Sequence, residues 1–361
     1  MPESLNYCFI SSGSWKDNAA HIRPRHLGGE LIERGHRVTY IVDDVPFNRT
    51  SLNLHPKANV AFVPKTRGLG QIASRRRVVR EVNPDYMHLL NPYPKTCAAM
   101  IGNYIPVIAD WDEPPFIKHL GLAQNTLASS LTWWLRKRAV LHIACTKPLQ
   151  EYLQQRWGMQ PVYIPHAPYL TQYPPGDSPF TEPTFVYMGN YFAAWDHDII
   201  FEAALILKRR GIEPSILFMG HGPDHEKWKS FVAEHQLSRV DAGGFMTGQD
   251  LWLRLRHAHA LLFPIRDNDI NRWRCPSKVF AYAQARRPIL TSRVGEVPYM
   301  LGDLPIYIES TPQAFADTME KLMGQTLPDV NYDLTHHSWS DRAERLLAAL
   351  ATLRGKAPRP V

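Results

Sequence analysis

TFVYMGNYFAAWDHDIIFEAALILKRRGIEPSILFMG, residues 184–220, opens on a β-branched and aromatic run that ends in glycine and closes on another of the same kind. Between them, residues 198–210 place Ile199, Ile200, Ala203, Ala204 and Leu207 at helical spacing, and Gly211 follows as a stop. Two short strands joined through a helix run parallel, because a tight hairpin cannot connect them. The fold class therefore reads as α/β.

The same rhythm extends in both directions. Downstream strands are expected at 239–244, 260–264, 288–292 and 305–309, with helices at 224–236, 248–258, 277–286 and 311–323. Upstream strands are expected at 6–12, 37–44, 59–64, 85–90, 106–112, 141–146 and 161–165. Gly35 ends a helix between the first two, another helix ends before Pro84, and Thr146 caps a third with Pro148 in its first turn. HAPYLTQYPPGDSPFTEP, 166–183, holds five prolines and breaks the periodicity, so it reads as a linker. The last helix is expected to start from Ser340 as its cap. The expected organisation is a Rossmann-like domain at 1–165, the linker 166–183, a second Rossmann-like domain at 184–335, and a C-terminal helix and tail at 336–361. Ligands of such sheets gather at the carboxyl ends of the strands, here in a cleft between the domains.

Composition removes other classes. A chain of 361 residues suits two domains, and 44% hydrophobic with 21% charged residues is globular. No apolar stretch approaches the ~20 residues of a membrane span, and the start lacks the basic and apolar regions of a signal peptide. Cys8, Cys97, Cys145 and Cys275 are far apart, which argues against a disulfide scaffold or zinc ribbon and for the cytoplasm. Sixteen histidines include no metal-binding spacing, so no metal is expected. The net charge of +7 is lopsided: residues 1–170 carry 20 Lys+Arg against 12 Asp+Glu, and the rest carry 21 against 22.

The richest segment for chemistry is FPIRDNDINRWRCPSKVF, 263–280. Pro276 and Ser277 introduce a helix whose free N–H groups suit an anion, and Lys278 adds a full charge. Arg266, Arg272 and Arg274 stand nearby, so a diphosphate fits; a solvated basic loop is the alternative. Two strands end in glycine turns, Gly189–Asn190 and Gly220–His221–Gly222, where backbone can approach a ligand. In the first half Asp110, Asp112 and Glu113 follow a strand, and Asp112 is the preferred general base, with helix capping ahead of Pro114 and Pro115 as the plainer reading. The opening loop after the first strand offers Gly13, Trp15, His21 and Arg23 for an acceptor; packing explains Trp15 as well, and a surface-facing helix end explains His21 and Arg23. QIASRRRVVR (71–80) and LTWWLRKR (131–138) suit an anionic membrane, with nucleic acid or a solvated face as alternatives.

These stretches carry a resemblance. FVYMGNYFAAWDHDIIFEAALILKRRG, SILFMGHGPD, RVDAGGFMTGQDLWLRLRHAHALLFP and PSKVFAYAQARRPIL resemble the donor half of GT-B-fold glycosyltransferases, the metal-independent nucleotide-sugar enzymes of bacterial polysaccharide synthesis. NAAHIRPRHLGGELIERGHRVTYI, DWDE (110–113) and YIPHAP (163–168) look like the opening, an acidic motif and the hinge of the same group. The resemblance implies a nucleoside-diphosphate sugar as donor, UDP-sugar favoured, with no further cofactor. Gly220, His221 and Gly222 would lie near the base or ribose, Phe245 and Met246 would line the base pocket, and Pro276, Ser277 and Lys278 would meet the diphosphate. The acceptor, a glycan or lipid-linked chain, would occupy the basic half, and domain closure would bring Asp112 opposite the donor. Two glutamates common in the family are replaced, by Trp273 and Ala281. A sugar-nucleotide epimerase of the same fold and a catalytically degenerate binding relative are the rival readings; nucleic acid is not an expected partner.

Overall fold

The computed structural model describes residues 4–16, 21–66, 69–114, 122–168, 173–192 and 195–354. It divides into two compact units, one of residues 1–167, 273–275 and 337–361, the other of residues 168–272 and 276–336.

The first unit contains seven parallel strands: β1 Asn6–Ile10, β2 Arg37–Asp43, β3 Asn59–Val63, β4 Tyr86–Leu90, β5 Val107–Trp111, β6 Ala139–Ala144 and β7 Val162–Tyr163, in the order β3-β2-β1-β4-β5-β6-β7. Its helices are α1 Ile22–Glu33, α2 Pro46–Thr50, α3 Leu69–Val82, α4 Pro94–Cys97, α5 Leu122–Arg138 and α6 Lys147–Trp157. Strand β1 shows why the sheet is covered on both faces. Tyr7 and Phe9 enter one apolar cluster with Leu27 and Leu31 of α1, while Cys8 and Ile10 enter another with Val79 of α3 and Leu135 of α5. Gly35, at a φ of 86°, ends α1, and its N–H bonds Ile32 O at 2.9 Å. Thr146 caps α6 as the sequence predicts, its hydroxyl accepting from Leu149 N at 3.2 Å.

The second unit repeats the plan with β8 Thr184–Met188, β9 Ser215–Met219, β10 Val240–Ala242, β11 Ala260–Phe263, β12 Ile289–Thr291 and β13 Ile306–Tyr307, ordered β10-β9-β8-β11-β12-β13. Helices α7 Asp198–Arg209, α8 His225–Glu234, α9 Gly248–Arg256, α10 Asp269–Trp273, α11 Lys278–Ala285, α12 Val297–Leu301 and α13 Pro312–Leu322 occupy the connections. Its core is aromatic: Phe201 stacks on Phe218 at 4.0 Å and on Trp228 at 4.5 Å. Strand order reverses between β1 and β4 in one sheet and between β8 and β11 in the other, so each sheet has a crevice at those carboxyl ends.

The chain's last helix, α14 Trp339–Arg354, returns to the first unit and packs Trp339, Ala343, Leu346 and Leu350 into the cluster of α1. Its cap is Ser338, whose Oγ accepts from Asp341 N at 3.0 Å, and not Ser340, whose hydroxyl receives Arg34 at 2.7 Å. Residues 173–183 lie on the second unit, where Tyr173 stacks on Trp252 and the carbonyls of Pro174 and Gly176 accept from Gln249 and His257. Residues 169–172 lie outside the described residues.

Candidate functional site

The carboxyl edge of the first sheet holds a buried polar chain. Tyr7 Oη lies 2.6 Å from His88 Nδ1, and His88 Nε2 lies 2.8 Å from one oxygen of Asp110. The other Asp110 oxygen receives Arg23 at 2.5 Å, and the same Arg23 nitrogen also bonds Asp112. Arg23 completes its fork on Ile164 O at 2.7 Å. Tyr7, His88, Arg23 and Asp110 are all buried, whereas Asp112 is 17% exposed, the one carboxylate here that meets solvent. Asp112 follows the last residue of β5, and its N–H donates to the Asn91 side chain at 3.1 Å, at the end of β4.

The electrostatics separate the two carboxyls. Burial alone would raise Asp110, but the Arg23 charge and the His88 hydrogen bond outweigh it and hold Asp110 below the ordinary carboxylate range. At Asp112 burial wins over Arg23, with repulsion from Asp110 added, and its pKa is pushed up to about 6. Asp112 can thus accept a proton near neutrality from a group held at its solvent side. The capping alternative concerns a helix ahead of Pro114 and Pro115, and residues 115–121 lie outside the described residues.

The acceptor candidates of the opening loop fare differently. Trp15 is 3% exposed, stacks on His21 at 4.5 Å and donates to Ser11 Oγ at 2.8 Å, so it is packing and has no face for a sugar ring. His21 is buried too, and burial followed by the charge of Arg25 lowers its pKa to about 4, which leaves it neutral. Arg23 is not a surface cation but the hub just described. Gly13, at a φ of 84°, is fixed by Asp43 on its N–H at 2.7 Å and by Asn48 on its carbonyl at 3.0 Å. Residues 17–20 of this loop lie outside the described residues. The basic run of α3 is likewise split: Arg75 is fully buried and bonds Asp43 and Ser11 O.

In the second unit the glycine turns do converge. Gly189 N donates to Met219 O at 2.9 Å, Tyr191 N to His221 O at 3.0 Å and Gly220 N to Gly244 O at 3.0 Å, which laces the ends of β8, β9 and β10 together. A Cβ on Gly220 would lie 1.8 Å from Gly189 O, and one on Gly222 would lie 2.5 Å from Tyr191 O. Asn190 and His221 are exposed here, and Phe245 stands 67% exposed with its ring edge-on to His221 at 5.3 Å; Met246 is half-buried beside it. Lys278, the first residue of α11, brings its Nζ to 3.2 Å from Tyr187 Oη and over that ring at 4.4 Å. A Cβ on Gly189 would lie 2.4 Å from the same ammonium, so this glycine is what lets Lys278 sit at the β8 turn. Pro276 is buried, and Ser277, between it and Lys278, is exposed.

Arg266 and Arg272 do not join this set. Arg266 is held by Asp196 at 3.0 Å and Asp198 at 2.6 Å, so its charge is already answered. Arg272 is paired with Asp267 at 2.6 Å. Arg274 lies in the segment 273–275 that belongs to the first unit. Trp273 belongs there as well: it packs against Tyr152 at 5.2 Å, and its carbonyl accepts from Thr146. The residues that sequence reasoning passed over are Tyr7, His88 and Asp196. The alternation of His88 in β4 and Asp110 in β5 was the available signal, since neighbouring parallel strands can bring such polar residues together on one face. Asp196, at a φ of 55° and 3% exposed, also accepts Arg266 N at 3.0 Å and the Asn271 side chain at 2.7 Å, fixing the loop before α10. Among the described residues no group of three His, Cys, Asp or Glu is placed to hold a metal ion.

No family model matches the sequence, and comparison with curated proteins finds no match. Solved structures do match. HepE from Anabaena in complex with UDP and glucose shares 12% identity over 98% of both chains, with a TM-score of 0.67. The apo form of WaaB, a lipopolysaccharide outer core galactosyltransferase, shares 13% identity over 96% of this chain and 99% of that one, with a TM-score of 0.70. A Listeria monocytogenes protein assigned as a UDP-N-acetylglucosamine 2-epimerase shares 13% over 99% of both, at 0.60. At such identities the likeness speaks to architecture, and the architecture is GT-B: two tandem Rossmann-like α/β domains, as in the glycosyltransferases it matches.

Proposed function

We propose that this chain is a glycosyltransferase that moves a sugar from a nucleoside-diphosphate sugar, a UDP-sugar first, to a glycan or lipid-linked acceptor in cell-surface polysaccharide synthesis. The observation that carries the reading is the placement of Lys278. Its ammonium starts a helix, rests against the Gly189 turn and stands where the strand order of the second sheet reverses. When an acceptor hydroxyl attacks the anomeric carbon, the bond to the diphosphate breaks and negative charge collects on the departing phosphate. The Lys278 ammonium suits that charge, whereas the Val279 and Phe280 N–H groups of α11 are taken by Pro276 O and Ser277 O, so the chemistry proceeds on the lysine without a metal. Asp112 takes the acceptor proton as general base in an inverting transfer. The UDP complexes of HepE support the choice of donor.

Thermal shift with UDP-, GDP-, dTDP- and ADP-sugars tests donor binding, since a ligand of the native state raises its stability. Lys278→Ala is expected to weaken UDP binding about 10- to 100-fold, as for a lost charge-assisted hydrogen bond. Unchanged affinity removes the diphosphate assignment. Asp112→Asn is expected to abolish transfer and leave UDP binding intact; retained turnover removes it as base.

The Listeria neighbour favours a second reading, an epimerase acting on the sugar nucleotide alone. Turnover of a UDP-sugar without any acceptor would decide for it. A binding-only relative, consistent with Trp273 and Ala281 at the usual glutamate positions, would bind nucleotide and turn over nothing.

A further inference from the structure

Given the reading of Asp112 as general base, on which this rests, we propose that Arg342 of α14 is a positioning residue for Asp112, acting through the peptide 164–165 and Arg23. Strand β7 is only Val162–Tyr163, and its ladder closes with Ile164 N on Ala144 O at 3.0 Å. Pro165 has no N–H to continue it. Two buried arginines take the next two carbonyls instead. Arg23 donates to Ile164 O at 2.7 Å, and Arg342 Nε donates to Pro165 O at 3.2 Å. Each arginine is 1% exposed. Arg23 stands in α1 and Arg342 in α14, and those two helices share one apolar cluster, Leu27 and Leu31 with Trp339, Ala343 and Leu346.

The chain leaves the first unit after Ala167 and re-enters it at His337. Arg342 ties these two ends together, since its Nη2 also lies 3.0 Å from His337 Nδ1. Its third nitrogen bonds Asp341 at 2.5 Å, and that carboxylate is shared with Arg345 at 3.0 Å. Burial and the Arg345 charge both work against the Arg342 guanidinium, so one shared carboxylate is thin compensation for holding it out of water. Its donors are spent on fixing backbone. Without them Pro165 O loses its partner, and Ile164 O, one residue earlier, is no longer held against Arg23. The Arg23 nitrogen that serves both Asp110 and Asp112 then shifts with its fork. The groups facing Asp112 are Arg23 of α1, Asp110 of β5 with His88 of β4 behind it, and Cys145 after β6, whose Sγ donates to Asp112 O at 3.3 Å. Cys275 and the neutral His166 lie within charge range of Arg23 and Asp110. Of these, Arg23 is the one that also holds Ile164 O.

Carboxyl-carbon NMR of the full chain labelled in aspartate, titrated from about pH 4 to 9, reads Asp112 directly, and the resonance missing from Asp112→Asn identifies it. In Arg342→Gln the Asp112 midpoint is expected to rise by about one pH unit, because the attraction of Arg23 is what opposes burial there. His337 is half-buried, so His337→Ala keeps the fold and is expected to move the midpoint the same way by about half a unit. Transfer should follow. At about pH 6, kcat/KM is expected to fall about fivefold in Arg342→Gln, with the value at about pH 8 within about twofold of the native chain. An arginine that only stabilised the first unit would cut turnover alike at every pH and leave the midpoint where it was. That result overturns the proposal, and so does an unmoved midpoint in His337→Ala where Arg342→Gln fails to fold. A midpoint that rises while transfer shows no inflection upholds the positioning of Asp112 and removes it as base.

Discussion

Arg23 and Asp110 form an ion pair at 2.5 Å in which both side chains are 1% exposed. Removing one charge from such a pair strands the other out of water. Asp110→Asn would leave Arg23 with Asp112 alone and weaken the acceptor of His88. A loss of about 3 kcal/mol in the stability of the first unit is expected, measured by urea denaturation. Asp112→Asn should cost far less, because Arg23 keeps Asp110 and Asp112 is partly solvated. If both substitutions destabilise equally, Asp112 belongs to the scaffold rather than to the site.

The pH dependence of transfer follows from the raised Asp112. A base with a pKa of about 6 is deprotonated above it, so kcat/KM with the donor in excess is expected to rise through about pH 6 and then level. Arg23→Lys, which retains charge but loses the second nitrogen that anchors the group on Ile164 O, should shift that inflection. A flat profile between pH 5 and 8, about the span a carboxyl at this value must cross, would remove Asp112 from the chemistry.

Stability should fall in acid. His21 and His142 have pKa values lowered to about 4 and His166 to about 3, in each case mainly by burial. Unfolding returns them to about 6.5, so the unfolded state binds more protons between about pH 6.5 and 4, and stability drops as pH falls through that window. Asp112 works the other way. Its raised value makes the folded state bind a proton first, so its contribution is present at low pH and lost as pH rises through about 6. With His197, likewise lowered to about 4 mainly by burial, four histidines outweigh one carboxyl, and net uptake approaches roughly three protons, about 4 kcal/mol per pH unit at most. Urea midpoints at a series of pH values check this, and His166→Gln should flatten the slope.

Much of the fold was legible because its signals are local. Gly35, Gly211 and Thr146 mark ends that depend only on nearby backbone, and the strand–helix alternation fixed a parallel α/β class. The convergence of Gly189 and Gly220 was legible too, since both end neighbouring strands of one sheet. What escaped was partnership at long range. Arg266 reads as a free cation in the sequence, yet its charge is answered by Asp196 and Asp198 some seventy residues away. Arg23 reads as a surface residue and is buried because Asp110 and Asp112 lie across the sheet. Charge alone cannot say whether a cation faces a ligand or a carboxylate. The same blindness hid Tyr104, a lone tyrosine in the sequence and the most exposed large apolar side chain among those described.

The glycine at 220 provides the sharpest test of the second unit's site. Its Cα faces Gly189 O so closely that a Cβ would lie 1.8 Å away, and the obstacle is backbone, which cannot swing aside like a side chain. Gly220→Ala must therefore push the β8 and β9 turns apart, at a cost of about 1–3 kcal/mol in overpacking. The displacement falls on Gly189, the residue that makes room for Lys278. Nucleotide affinity is therefore expected to drop more than the melting temperature would explain, with UDP binding lost in protein that remains folded. Gly211→Ala is the matched control. It lies at the far end of α7 with no atom within 4 Å of a Cβ, and its φ of 78° makes alanine strained there, so it should lower stability without touching UDP affinity. Equal losses of affinity in the two variants would show that nucleotide binding follows global stability, and would remove the glycine turns from the site.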